Sequence, residues 1–404
     1  MTRLALNDVC LNICDGVHNT VIDTPNEHYY LLSAKNIKDG CILVSSDERT
    51  ISLETLEKLR RRTKLSKDDV VITTVGTIGE VALIPDNNIN YEFQRSVGIL
   101  KPDQKIINAR FLKYVMQSSS MRTYLLNNAT GAAQPCLFIG FLKKVKIEFP
   151  DISQQEKIAS ILSAYDDLIE KNNRKIAILQ EIAEELYKEW FVRFRFPGYK
   201  TAKFKDGIPE GWNIKRLEEF GTIETGKTPS TEVSEYYGPD IPFVKTPDMH
   251  ENMWTIETEE MLSTAGSNSQ AKKLLPTNSI MVSCIGTGGV VSINAVPSHT
   301  NQQINSIILN DLNELEWLFF TCVSLKPTIV SYGSTGATMT NLSKGKFEKL
   351  KILYPGKLLV HKYHDKTKEI FFNIRNLMYL NKNLKIQRDL LLPRLMSGKL
   401  EVKA

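Results

Sequence analysis

Apolar positions follow two different rhythms along the chain. Short runs such as Val70-Val71-Ile72-Thr73-Thr74 and Val145-Lys146-Ile147-Glu148-Phe149, broken by Gly, Pro and Asn, predict strands of a mixed α/β globule. After Pro150 the period lengthens. Ile158, Tyr165, Asn172, Leu179 and Leu186 recur every seventh residue, with Ile161, Leu168 and Ile182 in a second column. Ser153, with Glu156 three positions on, predicts the N-cap through a capping box. No Pro or Gly follows until Pro197. A helix of about 40 residues, about 60 Å long, is expected there.

The whole pattern then repeats. Val71-Ile72-Thr73-Thr74-Val75-Gly76-Thr77-Ile78-Gly79 matches Met281-Val282-Ser283-Cys284-Ile285-Gly286-Thr287-Gly288-Gly289, and Gly140 through Pro150 matches Gly345 through Pro355. Ala129-Thr130-Gly131 likewise matches Ser334-Thr335-Gly336. Order is kept and the offset stays between 205 and 210, so a tandem duplication is predicted. Adding 205 to the first heptad column gives Tyr363, Ile370, Leu377, Leu384 and Leu391, a second helix with the same seam. Each helix can pack on its own globule or on the other helix. Charge favours the second: residues 151–190 carry 5 basic and 9 acidic side chains, residues 356–392 carry 8 and 3. Asn172 either fixes register within the seam or faces solvent. The expected fold class is α/β of the α+β kind: two mixed globules, each followed by a long helix, the helices paired as an antiparallel coiled coil. The boundaries read as 1–150 (globule), 151–196 (helix), 197–355 (linker and second globule) and 356–404 (second helix and tail).

Composition narrows the classes. With 404 residues, 42% hydrophobic and 24% charged, the chain is an ordinary globular sequence of two or three domains. No apolar run reaches the roughly 18 residues of a membrane helix, and the start lacks a signal-peptide core. Six scattered cysteines make no disulfide framework. A cytoplasmic protein without a membrane partner is expected. The net charge of +5 alone is a weak argument for nucleic acid.

Catalytic machinery is missing from the pattern. There is no Asn/Asp-Pro-Pro-aromatic segment, no zinc-like Cys/His spacing and no Gly-x-Ser-x-Gly. Gly221-Thr222-Ile223-Glu224-Thr225-Gly226-Lys227-Thr228 does satisfy the phosphate-loop expression. Its context argues otherwise: Lys215 through Phe220 is not a buried strand, and Pro229-Ser230-Thr231 reads as a turn rather than a helix start. A plain loop is expected, with Lys227 placed to meet a phosphate.

Three further segments give the organisation a family likeness. Gln154-Gln155-Glu156-Lys157-Ile158-Ala159-Ser160-Ile161-Leu162, Ile208-Pro209-Glu210-Gly211-Trp212 with Lys215-Arg216-Leu217, and Leu390-Leu391-Leu392-Pro393-Arg394-Leu395-Met396-Ser397-Gly398-Lys399-Leu400 resemble the specificity subunit of Type I restriction-modification enzymes. The first unit lacks the Pro-Glu-Gly-Trp element and the second helix lacks the Gln-Gln-Glu start. The resemblance implies two target recognition domains, each reading one half of a split, asymmetric double-stranded DNA target. It implies a helical pair that sets the gap and docks methyltransferase (modification) and restriction subunits. The chain itself would be non-catalytic, with S-adenosylmethionine and ATP/Mg on those partners.

Base readout needs donors and acceptors on loops, with cations and hydroxyls on the phosphates. Polar loops matched between the repeats are the candidates: Ser33, Lys35 and Asn36, Gln94 and Arg95, and Thr130, Gly131 and Gln134 in the first unit. In the second they are Lys245, Thr246 and Asp248, Gln302 and Gln303, and Ser334, Thr335, Gly336 and Thr338, with Lys227. Arg60, Arg61 and Arg62 form the densest basic run, either a phosphate clamp or a solvated helix end after Ser52. The competing reading is a coiled-coil protein-interaction scaffold without DNA readout, separated from the first by enrichment of a bipartite motif from a duplex library.

Overall fold

Strands of contiguous Val and Ile need cover on both faces, and that is where they lie in a computed structural model of the protein. It describes residues 1–45, 48–131, 135–250, 252–333, 340–396 and 400. The chain divides into two compact units, residues 1–170 with 383–404, and residues 171–382.

In the first unit Val70–Thr73 and Val97–Pro102 form the middle of an antiparallel sheet, flanked by Val81–Leu83 and Cys10–Asp15. A second sheet sets Tyr29–Leu32 parallel to Tyr91–Phe93 and antiparallel to Thr50–Ile51. Thr2–Ala5 pairs with Lys146–Phe149 and brings the two ends of the globule together. The second unit repeats this design. Its sheet runs Gly221–Thr225, Ile304–Leu309, Ile280–Ser283, Val291–Asn294, then adds Trp254–Thr255 in parallel at the edge. Phe243-Val244 pairs in parallel with His299–Thr300, and Asn213–Arg216 with Lys351–Tyr354 in the antiparallel sense.

The long helices span Ile152–Tyr187 and Lys357–Met396. They run antiparallel. In the first unit Ile158, Ala159 and Leu162 share a core with Leu392 and Leu395. In the second, the Tyr363 hydroxyl donates to the Ala183 carbonyl (2.8 Å), and the Asn172 amide donates to Asn381 Oδ1 (2.8 Å). Asn172 is therefore a buried seam residue and not a solvent-facing one.

Two expectations need correction. The helix cap is Asp151, whose carboxylate accepts the Gln154 N–H (3.0 Å); Ser153 already lies inside the helix. The second column of the first seam is one residue out. Ile161 is half-buried, while Leu168 and Ile182 are 41% and 49% exposed. The buried column is Leu162, Ile169, Ile176 and Ala183, with Ile176 only partly covered. Adjacent apolar pairs at 161–162, 168–169 and 182–183 make either column readable. Position 175 decides, because it is Lys where 176 is Ile.

The first column holds: Ile158 is buried, and Tyr165, Leu179 and Leu186 are half-buried. On the second helix Leu384 is buried and Ile370, Leu377 and Leu391 are half-buried. Their partner column, Val360, Thr367, Ile374, Asn381, Arg388 and Leu395, is half polar, which hides it from a hydrophobic count.

Candidate nucleic-acid interface

Each globule gathers its polar loops in the same way, down to single hydrogen bonds. The turn after the central strand is the first instance. The Thr73 hydroxyl donates to the Thr77 carbonyl and accepts the Glu80 N–H (2.9 Å). The Ser283 hydroxyl does the same with Thr287 (2.6 Å) and Val290 (2.8 Å). Gly76 and Gly286 both have φ of +78°, which favours glycine.

The second instance is a close approach of backbones. A Cβ on Gly16 would lie 2.0 Å from the Phe93 carbonyl oxygen, and one on Gly226 would lie 2.2 Å from that of Asn301. Gly16 N–H donates to Val97, and Gly226 N–H to Ile304, both at 3.1 Å. The next residues, Val17 and Lys227, donate to Phe93 (2.8 Å) and Thr300 (2.9 Å). These bonds make Gln94 equivalent to Asn301, Arg95 to Gln302 and Ser96 to Gln303. The sequence pairing of Gln94-Arg95 with Gln302-Gln303 is thus one residue out. The signal for the right pairing lies in the strands that follow, which begin at Val97 and Ile304.

A third loop closes on these. Ser33 N–H donates to Asn36 Oδ1, as Lys245 N–H donates to Asp248 Oδ2, both at 2.8 Å. Ser96 Oγ then accepts the Ala34 N–H (3.1 Å), while the Thr246 hydroxyl donates to Gln303 Oε1 (3.4 Å). Finally Thr74 N–H donates to the Ser96 carbonyl (2.8 Å), and Cys284 N–H to that of Gln303 (2.7 Å). Three loops in each unit are knitted into one polar surface.

Within it the candidates separate into holders and free groups. Asn36 is buried and gives its amide to Leu43 (3.0 Å) and Glu48 (2.7 Å). Asp248 accepts the Glu259 N–H as well (3.0 Å). Asn36 thus spends both amide N–H groups and its oxygen on its loop, and both carboxylate oxygens of Asp248 are engaged in shaping the equivalent one. Lys35 pairs with Glu48 (3.2 Å) and Lys245 with Glu260. Ser33 serves its loop through its backbone N–H, and Thr246 through its hydroxyl.

The basic run divides too. Arg60 is half-buried against Glu92 (3.2 Å) and the Ile89 and Tyr91 carbonyls, so it is no phosphate clamp. Burial pushes the Glu92 carboxyl up, opposed by Thr63 and Arg60. Arg62 holds Asp15 (2.6 Å) and the Gly16 carbonyl (2.9 Å), which fixes the glycine turn from behind. Tertiary partners far along the chain absorb these two charges, and the sequence carries no local signal of it. Arg61, Arg95 and Lys227 are exposed and have no side-chain partner among the described residues. Gln302 accepts from the Thr228 hydroxyl (2.6 Å) and keeps its amide N–H groups free. Gln94 is half-buried, and its side chain has no partner among the described residues. Thr130 is exposed and bridges to Cys136, and Gly131 follows it at φ +106°. Gln134, Ser334, Thr335, Gly336 and Thr338 lie outside the described residues. Ser96, Asn301 and Thr228 are members of the surface that the sequence reading missed.

The phosphate-loop pattern is placed as a strand, Gly221–Thr225, followed by a loop, with no helix opening at Thr228. Without a helix N-terminus there is no cradle for a phosphate chain. Among the described residues no group of three His, Cys, Asp or Glu is set to hold a metal, and no helix is long and apolar enough to cross a membrane.

Comparisons with known proteins bear on this surface. A family model for the Type I restriction modification DNA specificity domain matches residues 6–181 and 209–359. The specificity subunit of the Haemophilus influenzae Type I restriction enzyme HindI is 30% identical over 403 residues, covering 83% of this chain and 87% of that one. The MjaIX specificity subunit of Methanocaldococcus jannaschii is 27% identical over 373 residues, covering 90% and 84%. The crystal structure of the S subunit of a Type I restriction-modification system from M. genitalium superposes with a TM-score of 0.55 at 17% identity, covering 98% of this chain and 96% of that one. That likeness is one of fold.

Proposed function

This chain belongs to the Type I restriction-modification DNA specificity family, and on that premise we propose that each unit reads one half of a split, asymmetric DNA target. One observation carries the proposal: the same three loops, tied by equivalent hydrogen bonds, present a polar surface once in each unit. The two surfaces carry different side chains at equivalent positions, Arg95 against Gln302 and Ser96 against Gln303. Arg pairs bidentately with guanine and Gln with adenine, so two unlike half-sites are what such a pair of surfaces would select. Lys227 and Arg61 supply exposed cations for phosphates, which position the protein without reading sequence.

The chain is a non-catalytic specificity component. In this proposal methyl transfer, with S-adenosylmethionine, resides on modification subunits, and ATP/Mg-dependent cleavage on restriction subunits, all acting with this chain in the cytoplasm. The paired long helices supply the surface on which those subunits dock. Selection from randomised duplexes, with the modification subunits present, tests the reading. The expected product is two short conserved blocks separated by a fixed run of unconserved bases. A single contiguous block, or no enrichment, would refute it.

A further inference from the structure

Trp254 belongs to an edge strand with no counterpart among the described residues of the first unit, and its position leaves chemistry unspent. Its side chain is only 3% exposed, and its Nε1–H has no hydrogen-bond partner among the described residues. Asn278 Oδ1 is buried nearby and equally unmet. Both line a cavity of about 260 Å³ between the edge strand and the second long helix, inside the second unit. A buried donor left unpaired costs about 1–3 kcal/mol, so the site is built for an acceptor.

The helix adds a charge. Arg375 lies with its guanidinium carbon 5.0 Å from the Trp254 ring centre and 5.6 Å from that of Phe372, and no carboxylate among the described residues pairs with it. Of the other ionic groups of the wall, Glu316 is engaged with His364 (2.7 Å) and Lys368 with Asp365 (3.0 Å), while Glu369 is exposed to solvent. A water molecule would satisfy Trp254 but would leave Arg375 without a counter-charge. A carboxylate carries one negative charge, so it meets less repulsion from Glu316 and Glu369 on the same wall than a phosphate dianion would.

We propose that this cavity binds a small carboxylate, whose oxygens accept the Trp254 and Arg375 N–H groups while a neighbouring donor on the same ligand meets Asn278 Oδ1. A free amino acid and an acidic side chain of an associated subunit share this chemistry.

The test uses the full chain labelled with ¹⁵N in its indole groups, with the Trp254 resonance assigned from a Trp254→Phe variant. Titration with sodium glutamate is expected to move that resonance saturably, while sodium phosphate leaves it in place. Arg375→Gln should weaken glutamate binding about tenfold or more, and Arg375→Lys by less. The resonances of Trp190, Trp212 and Trp317 report whether each variant remains folded. A shift that appears only with the modification subunit, and is lost in Arg375→Gln, would assign the carboxylate to that subunit. No shift in either arm, an equal response to phosphate, or a shift indifferent to Arg375 would overturn the proposal. The glutamate arm stands whether or not the chain reads DNA.

Discussion

Helix position 166 in the first unit and position 371 in the second are equivalent by the 205-residue offset, yet one is Asp and the other Phe. Asp166 accepts from the Lys113 ammonium (2.8 Å), the Tyr114 hydroxyl (2.7 Å) and the Arg388 guanidinium (2.6 Å). Phe371 is 1% exposed and stands edge-on to Phe319 and Phe320, ring centres 5.8 Å apart in both cases. Each solution fastens the long helices to a globule, one by an ionic network and one by apolar contact. The loops behave in the opposite way. Their hydrogen bonds match almost atom for atom while their outward side chains differ. Anchoring tolerates a change of chemistry because packing and ion pairing both supply a few kcal/mol. Loop geometry does not, because Gly16 and Gly226 have carbonyl oxygens about 2 Å from where a Cβ would sit.

The largest effect should come from the apolar anchor. Phe371→Ala is expected to cost about 3–5 kcal/mol, measured by urea unfolding, with no dependence on salt or pH. Asp166→Ala should cost about 2–3 kcal/mol, since it strands two cations but the carboxylate keeps 21% of its side chain exposed.

The ionic anchor alone should respond to acid. Burial pushes the Asp166 carboxyl up, but Lys113, Arg388 and the Tyr114 hydroxyl outweigh it and hold it below the ordinary range. Its contribution is therefore present above about pH 4, the unfolded carboxylate value, and is lost as pH falls through the folded one. Melting curves at descending pH should show wild type losing this contribution and Asp166→Ala not losing it. If both lines fall in parallel, the ionic anchor is not what distinguishes the units.

A smaller effect sits in the seam. Asn172→Leu should cost about 1–3 kcal/mol by leaving Asn381 Oδ1 without its donor, and adding Asn381→Leu should restore most of it. Asn381 also donates to the exposed Asn173 (2.8 Å), whose oxygen water can satisfy, so a double variant less stable than either single one would contradict this reading.

How much of this was legible differs between the same two regions. The duplication, both helices and the first seam column were readable because apolar side chains at fixed spacing carry that information. Thr367, Asn381 and Arg388 broke the other column, since the first two are buried and the third half-buried through hydrogen bonds or ion pairs that periodicity does not register. The loop surface was located by its repeated glycines, but Arg60 and Asn36 were misread as contacts. Glu92 and Glu48, which accept their N–H groups, sit 32 and 12 residues further along. The edge strand at Trp254 has no counterpart among the described residues of the first unit, so the repeat could not announce it.

In the proposed arrangement, equivalent loops read different halves of one target. Arg95→Ala and Gln302→Ala occupy equivalent positions and touch no core, so both variants should fold as wild type. Selection from randomised duplexes should then be run on each, in complex with the modification subunits. Arg95→Ala should relax one conserved block and Gln302→Ala the other, each by about 1–3 kcal/mol at the affected base pair. Relaxation of the same block by both variants, or of both blocks by either one, would contradict the account.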